Sequence, residues 1–273
     1  MRIQAKKSLG QNFLSNPRVL DKIVEAAEIT KNDTVLEIGP GTGNLTAKLA
    51  EKAGRVIAVE KDHRLIDLLK SNFDRFGNVE IVEADVLKLD ITRTVLTIQG
   101  RSLYGKTPLQ YKIVGNIPYY ITSHLLRTIF ESWPMPKLIV LTIQKEVAQR
   151  IMAKPPHMNL LALSVQLYSE PKIVGYISKG NFRPIPKVDS AILKLVSKAE
   201  LLKSGLNSSV TRQFFELVRL GFSSKRKKLI SNLAQKFDKV ILEKAFNQLG
   251  LKETSRAEEL SLDDWLRLVK NLI

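Results

Sequence analysis

Residues 34–53 read TVLEIGPGTGNLTAKLAEKA, and this stretch decides the fold. Its first five residues form an apolar run that predicts a buried strand, and residues 44–53 predict a helix that stops at Gly54. The glycines at positions 39, 41 and 43 predict a tight turn between them, because glycine lets the main chain approach a ligand closely. The following helix offers unpaired N–H groups and a positive dipole end to such a ligand. The stretch therefore predicts one unit of an α/β sheet with a ligand beside the turn.

Further strands follow, and several of them end next to a polar side chain. Residues 55–60 (RVIAVE) predict a strand that ends in Glu60, and later apolar runs predict strands ahead of Asp85 and Asn116. Ligands of open α/β sheets bind at the carboxyl ends of the strands, so we expect these side chains at one edge. Glu60 can accept both hydroxyl protons of a ribose, and Asp85 can accept from an adenine amine. A solvated surface acid is the alternative interpretation of Glu60.

The string at residues 116–119 (NIPY) has the groups of a pocket for a flipped adenine. The asparagine amide offers an acceptor to an exocyclic amine, the proline stiffens the turn, and the tyrosine supplies a flat face for stacking. Residues 181–190 (NFRPIPKVDS) contain two prolines that fix an extended loop, which would present Phe182 opposite Tyr119 to sandwich a base. The alternative interpretations are a strand-end turn with a core tyrosine, and a hydrophobic anchor for the loop.

Composition narrows the class of protein. The chain of 273 residues has a formal net charge of +16 and a pI of about 9.9, which favours a polyanionic partner: nucleic acid first, an anionic membrane surface second. It has no cysteine and three scattered histidines, which argues against disulfides and a zinc site. No apolar run approaches the length of a membrane span, and the first residues lack the apolar centre of a signal peptide. We therefore expect a soluble, cytoplasmic protein without a metal.

Both ends of the chain carry signals of its organisation. Asn16 and Pro17 form a good N-cap and first helical residue, and an apolar repeat at helical spacing follows them. We therefore expect residues 11–14 (QNFL) to be held against the body of the protein. From about residue 198 strands give way to helices, which predicts a large domain at 1–198 and a small helical domain at 199–273.

Four consecutive cations lie between predicted helices of the small domain: Lys225, Arg226, Lys227 and Lys228. A charge run is often only a solvated helix face. In a chain this basic, contact with phosphates is the functional interpretation, and such contacts make affinity fall steeply with salt.

The glycine turn does not match a dinucleotide fingerprint, because Asn44 stands where the last glycine would be. With Glu37 ahead of it, the turn resembles that of S-adenosylmethionine-dependent methyltransferases. Taken in order, the strings above resemble the ribosomal RNA adenine dimethyltransferases of the bacterial KsgA type over nearly the whole chain. This resemblance implies a Rossmann-like class I methyltransferase domain with a small C-terminal helical domain. The matching positions are 11–14, 37–43, 60, 85, 116–119 and 181–190.

The resemblance also implies roles for individual residues. The side chain of Asn116 and the carbonyl of Ile117 would accept from the amino group of the target adenine. Tyr119 and Phe182 would stack on its ring. The family's motif often has leucine in place of Ile117 and asparagine in place of Tyr120, and neither difference removes a group expected to act. The implied ligands of S-adenosylmethionine are Asn12, Leu14, Gly39, Glu60, Asp85 and Asn116.

The function implied by the resemblance is dimethylation of two adjacent adenosines in the 3′-terminal hairpin loop of 16S rRNA. The enzyme would act on an assembling 30S subunit, with a monomer as the default expectation. A related group, the 23S rRNA adenine methyltransferases that confer antibiotic resistance, usually lacks the basic C-terminal signature that residues 223–233 resemble, which favours the small-subunit enzyme. The second alternative is a non-catalytic ribosome assembly or RNA-binding factor. Against it, each expected contact position holds a competent residue.

Overall fold

The structure is a computed structural model that describes residues 4–91, 93–94, 111–198 and 208–272. The chain divides into two compact units. The first comprises Met1–Ala148 and Pro171–Ser197, and the second comprises Gln149–Glu170 and Lys198–Ile273.

The division differs from the predicted boundary, which placed residues 149–170 in the first domain. These residues group with the C-terminal helices because they include the almost entirely apolar helix Leu160–Tyr168. Within the second unit this helix packs on the C-terminal helices, and the ring of Tyr168 stacks on Phe215 with 6.2 Å between centroids. An apolar sequence predicts burial, but it does not identify the partner that buries it.

Strands and helices alternate through the first unit, and helices make up most of the second. The strands are β1 (Phe13–Leu14), β2 (Thr34–Ile38), β3 (Arg55–Glu60), β4 (Val79–Glu83), β5 (Tyr111–Asn116), β6 (Leu138–Gln144), β7 (Ser169–Ile177), β8 (Phe182–Arg183) and β9 (Ser190–Ser197). The α-helices are α1 (Pro17–Ala26), α2 (Asn44–Lys52), α3 (His63–Phe73), α4 (Thr122–Ser132), α5 (Lys145–Ile151), α6 (Leu160–Tyr168), α7 (Ser208–Gly221), α8 (Leu229–Leu233), α9 (Lys239–Leu249) and α10 (Leu262–Leu272).

Seven strands form one sheet in the order β4-β3-β2-β5-β6-β9-β7. Strands β4, β3, β2, β5 and β6 run parallel to one another, and β9 is antiparallel to β6. The chain runs outward from β2 through β3 and β4, then returns to place β5 on the other side of β2. The carboxyl ends of β2 and β5 therefore flank the point where the strand order reverses, which is where open α/β sheets bind ligands. The predicted α/β fold is confirmed.

Helix α1 begins where the sequence predicts, and its packing builds part of the core. Asn16 Oδ1 accepts from the N–H of Arg18 at 3.0 Å, which satisfies a free donor of the first turn. The buried faces of α1 and α2 pack against one side of the sheet, where β2 is buried along its whole length. The buried residues of this core include Leu20, Ile23, Val24, Val35, Leu45, Leu49, Val56, Val114, Val140 and Phe182.

The N-terminal segment is held by long-range contacts, as predicted for residues 11–14. Strand β1 pairs antiparallel with β8, and this pairing places Leu14 opposite Phe182. Beyond β1, the amide of Asn16 donates to Asn181 Oδ1 at 2.7 Å. The segment before α1 is therefore joined to the loop that follows β7.

The second unit is built around buried aromatic rings. Trp265 on α10 is fully buried, and its ring stacks on Phe222 with 5.9 Å between centroids. Helix α7 buries Phe214 completely. Among the residues that the structure describes, no helix has both the length and the apolar composition to cross a membrane.

Candidate active site

The glycine turn between β2 and α2 has a backbone that other residues cannot adopt without strain. Gly41 and Gly43 have φ angles of 60° and 86°. A Cβ atom on Gly41 would lie 3.0 Å from the ring of Phe13, and one on Gly43 would lie 2.7 Å from the ring of Phe73. The turn therefore needs glycine for its conformation and for the close approach of neighbouring rings.

Glu60 ends β3 beside this turn and is held in one orientation. Its Oε2 accepts from the N–H of Gly41 at 3.1 Å, and its Oε1 accepts from the N–H groups of Lys61 and Asp62 at 2.9 and 2.8 Å. Burial raises the pKa of Glu60, and these three hydrogen bonds oppose the rise. The carboxyl is thus a fixed acceptor at the carboxyl end of the sheet.

A second carboxyl, Glu37, lies within β2 itself. Its side chain is fully buried, and this burial raises the pKa of Glu37 to about 8, with the charge of Glu60 acting in the same direction. Glu37 is therefore mostly neutral at pH 7, one strand away from Glu60 in the sheet.

Asp85 follows β4 and carries an ion pair that the sequence did not predict. Its Oδ1 accepts from the N–H of Leu87 at 3.1 Å, and its Oδ2 accepts from Lys61 Nζ at 2.9 Å. The hydrogen bond from Lys61 holds the pKa of Asp85 below its ordinary value. Asp85 is therefore a charged acceptor, and Lys61 is half-exposed beside it.

Asn116 ends β5 with its amide oriented by the N-terminal segment. Its Nδ2 donates to the main-chain carbonyl of Asn12 at 2.8 Å, which leaves Oδ1 as the acceptor of this amide. Gly39 follows β2, the neighbour of β5, and a Cβ on it would lie 3.7 Å from the main-chain oxygen of Asn116. Asn12, Gly39 and Asn116 therefore meet at the switch point of the sheet.

One open cleft brings together most of the predicted site residues. They are Asn12, Gly39, Glu60, Asp85, Asn116, Ile117 and Tyr119. Leu14 does not line this cleft; it is 5% exposed and borders a smaller adjoining recess together with Gly39 and Asn116. The main-chain oxygen of Leu14 accepts from Asn44 Nδ2 at 3.3 Å, which ties β1 to the start of α2.

The residues after Asn116 are also fixed in position. The N–H of Ile117 donates to the carbonyl of Thr142 at 3.2 Å, and the Ile117 side chain is buried. The hydroxyl of Tyr119 hydrogen-bonds Ser190 Oγ at 2.7 Å. Burial raises the pKa of Tyr119, and the ring is half-buried at the cleft.

The prediction that Phe182 stacks on a base opposite Tyr119 is not met in this structure. Phe182 is 0% exposed and belongs to the core beneath β1, where it pairs with Leu14 in the β1–β8 ladder. It does not line the cleft, so it offers no free face to a base. The exposed apolar side chain of this loop is Ile185, at 59% exposure. Phe182 is therefore a hydrophobic anchor for its loop, as in the alternative interpretation of this residue.

The four cations at residues 225–228 lie in the second unit, on the turn between α7 and α8. All four side chains are exposed. The turn is held from beneath by the buried amide of Asn232, whose Nδ2 donates to the carbonyls of Gly221 and Ser224 at 2.6 and 3.1 Å. The cations are therefore presented to solvent on an anchored turn.

The sequence did not predict two contacts at the cleft. Lys61 pairs with Asp85, and Gln11 Nε2 donates to Asp62 Oδ2 at 2.7 Å, which joins the N-terminal segment to the start of α3. Opposite charges near the ends of neighbouring strands are the sequence signal for the first contact. The second joins residues that are distant in sequence, and no local pattern indicates it. Among the described residues, no group of three or more His, Cys, Asp or Glu side chains is placed to hold a metal ion.

The fold and the cleft define a class of enzyme. Three features define a class I S-adenosylmethionine-dependent methyltransferase. They are a parallel sheet in which β9 runs antiparallel to β6, a glycine turn after β2, and acidic side chains at or just after the ends of β3 and β4. The family model described as "Ribosomal RNA adenine dimethylase" matches residues 2–273. The chain belongs to this family.

Relatives and solved structures agree with this assignment. Ribosomal RNA small subunit methyltransferase A of Dehalococcoides mccartyi (strain CBDB1) is 41% identical over 268 residues, which cover 97% of this chain and 88% of the relative. The protein of the same name from Latilactobacillus sakei is 41% identical over 270 residues, covering 96% of this chain and 88% of the relative.

Two solved structures are similar along almost the whole chain. The 23S rRNA methyltransferase ErmE has a TM-score of 0.76 and 29% identity, covering 96% of this chain and 99% of its own. A dimethyladenosine transferase from Plasmodium falciparum has a TM-score of 0.76 and 30% identity, covering 94% of this chain and 95% of its own. The predicted family, fold class and cofactor are confirmed.

Proposed function

We propose that the protein uses S-adenosylmethionine to dimethylate the exocyclic amines of two adjacent adenosines in the 3′-terminal hairpin loop of 16S rRNA, during biogenesis of the 30S subunit. The observation that carries the proposal is the position of Asn116. It lies in one cleft with Glu60, Asp85 and Gly39, and its amide is oriented by the carbonyl of Asn12. Relatives about 40% identical over nearly the whole chain bear the name of a small-subunit RNA methyltransferase.

The cleft suits the methyl donor in its acceptors and in its shape. Glu60 would hold the ribose hydroxyls, and Asp85 would accept from the adenine amine. Gly39 would contact the methionine part, because a residue with a side chain there would intrude on the main-chain approach. Asn12, which lines the cleft, and Leu14, which borders the adjoining recess, would close over the donor. When bound, the donor supplies an electrophilic methyl group on a sulfonium.

The chain's own contribution to catalysis is to position and polarise the target amine. An adenine amine is a poor nucleophile because its lone pair is delocalised into the ring. Acceptance of its N–H groups by Asn116 Oδ1 and by the Ile117 carbonyl would draw the nitrogen towards tetrahedral geometry and free the lone pair. Fixed dipoles that replace water around the reacting groups would stabilise the charge that develops, and no strong general base is required. Tyr119, fixed by Ser190, would stack on the base.

We assign RNA binding outside the cleft to the second unit, through Lys225, Arg226, Lys227 and Lys228. Their exposure and the net charge of +16 support contact with phosphates. The first unit, which contains the cleft, is the catalytic part. We further propose that the protein acts in the cytoplasm, where its ribosomal substrate would be assembled, and that it acts as a monomer without a metal or a membrane partner.

Methylation of large-subunit RNA is the second candidate function. The similarity to ErmE, a 23S rRNA methyltransferase, favours it. Against it, the relatives named for the small subunit are 41% identical, compared with 29% for ErmE.

Labelling of undermethylated ribosomal subunits tests the proposal. The purified protein is incubated with methyl-labelled S-adenosylmethionine and separate small or large subunits, and the digested RNA is searched for labelled nucleosides. Dimethyladenosine from the small subunit is the expected result. Label only in the large subunit would support the second candidate function, methylation of large-subunit RNA. Salt-sensitive binding without label in either subunit would make it a non-catalytic assembly factor.

A further inference from the structure

Tyr120, which the sequence resemblance left without a role, is an exposed aromatic side chain at the cleft. It follows Tyr119 in the 3-10 helix Tyr119–Ile121 and is 62% exposed. In the described part of the chain the exposed large aromatic side chains are Phe76, Tyr120 and Tyr176, and of these Tyr120 lines the cleft that contains Asn116. An exposed ring beside a base pocket has the geometry for stacking on a nucleotide.

Tyr120 is directed away from Tyr119. Successive residues of a 3-10 helix point about 120° apart, so neighbouring rings cannot cover the two faces of one base. The hydroxyl of Tyr119 is bound to Ser190, whereas the ring of Tyr120 packs on Gly10, where an added Cβ would lie 3.2 Å from it. Phe13 also lines the cleft, but it is partly buried and packs against the cluster that contains Phe73. With Phe182 buried in the core, Tyr120 is therefore the exposed aromatic side chain among the residues that line the cleft.

Two lysine side chains border the region of Tyr120. Lys61 lines the same cleft as Tyr120, and its Nζ lies 2.9 Å from Asp85 Oδ2. Exposed Lys7 begins the 3-10 helix that leads to Gly10, on which the Tyr120 ring packs. An aromatic ring flanked by ammonium groups is suited to single-stranded nucleic acid, because the ring takes a base and the cations take its phosphates.

We propose that Tyr120 stacks on the base of the nucleotide next to the target adenosine, with Lys61 and Lys7 near the adjoining phosphates. This inference rests on the proposed function, in which two adjacent adenosines are modified. Stacking of the neighbour on a fixed ring separates it from the target base. Tyr120 thereby directs one base at a time towards Asn116.

Two other uses of the ring predict different measurements. A ring that stacked on the adenine of the cofactor would affect cofactor affinity in the absence of RNA. A ring that only supported the N-terminal segment through Gly10 would be replaceable by an aliphatic side chain of similar bulk. The variants Tyr120→Ala, Tyr120→Leu and Tyr120→Phe of the full chain separate these cases.

The experiment measures KM and kcat for methyl transfer to undermethylated small subunits, and the affinity for S-adenosylhomocysteine by calorimetry without RNA. The expected result for Tyr120→Ala is a KM for subunits raised about 5- to 150-fold, the range for loss of one base stack, with unchanged affinity for S-adenosylhomocysteine. Tyr120→Phe should keep the wild-type KM, and Tyr120→Leu should resemble the alanine variant.

Three results would overturn the inference. They are an equal loss of S-adenosylhomocysteine affinity, a wild-type KM in Tyr120→Leu, and an unchanged KM in Tyr120→Ala. A wild-type chain that transfers no methyl group to small subunits would overturn the proposed function and this inference with it. An active wild-type chain with an unaffected Tyr120→Ala variant would overturn the inference alone.

Discussion

Replacing Gly43 with alanine should destabilise the first unit more than the same change at Gly39. Both glycines have positive φ angles, 86° and 69°, and alanine in this region costs about 1–2 kcal/mol. At Gly43 the new Cβ would also lie 2.7 Å from the Phe73 ring, and overpacking of this kind costs about 1–3 kcal/mol. At Gly39 the nearest atom is a main-chain oxygen at 3.7 Å, an ordinary contact. The expected losses are therefore about 2–5 kcal/mol for Gly43→Ala and about 1–2 kcal/mol for Gly39→Ala.

Scanning calorimetry of the full chain measures the difference. The transition of the first unit is identified in the wild type as the one that S-adenosylhomocysteine raises. A difference of about 1–3 kcal/mol places the transition of Gly43→Ala about 2–12 °C below that of Gly39→Ala. A double variant that also carries Phe73→Leu should lose less than the sum of the single changes, since the smaller side chain makes room. Equal transitions for the two alanine variants, or an additive double variant, would refute the role of the Phe73 ring.

Four further changes have expected outcomes. Asn116→Ala should slow methyl transfer by at least about 100-fold with RNA affinity nearly unchanged. Transfer at the wild-type rate in the labelling assay would show that Asn116 has no role in the reaction. The folded state keeps Glu37 protonated up to a pKa of about 8, whereas the unfolded chain ionises near 4.5, so the stability that protonation provides is complete below pH 4.5 and is lost as pH rises to 8. Glu37→Gln should flatten this fall in urea titrations between pH 5 and pH 8, and a slope equal to that of the wild type would contradict the burial argument. Phe182→Ala should cost about 3–5 kcal/mol of stability, whereas a ring used only for stacking would leave the urea midpoint unchanged. Glutamine at residues 225–228 should weaken RNA binding and reduce its salt slope by about 0.7 for each phosphate that the variant no longer neutralises, and an unchanged slope would mean that these cations face only solvent.

The sequence predicted the features that depend on residues close together in the chain. The run at residues 34–53 predicted strand, turn and helix, because apolar spacing and glycine act locally. Asn16 was correctly predicted to begin a helix, since a cap bonds to a main-chain N–H two residues ahead. The grouping of Asn116 with Glu60 and Asp85 followed from one rule of topology, that parallel strands end at the same edge.

What the sequence did not predict depends on pairing between distant residues. The residues around Phe182 in the sequence are compatible with a ring that faces a base and with a ring in the core. The pairing of Phe182 with Leu14, which is distant in sequence, places the ring in the core. The helix at Leu160–Tyr168 is apolar on nearly every side, so its burial was predictable but its unit was not. Tyr120 was set aside as a neutral difference because a sequence gives no measure of exposure.

The pairing of β1 with β8 has a consequence for how the protein is made. Strand β8 is synthesised roughly 170 residues after β1, and elongation at about 5–20 residues per second separates the two by on the order of 10 s or more. During that interval Leu14 has no partner strand, and the core around Phe182 is incomplete. Each new molecule therefore acquires its finished cleft only late in its own translation, after nearly all of the first unit has been synthesised.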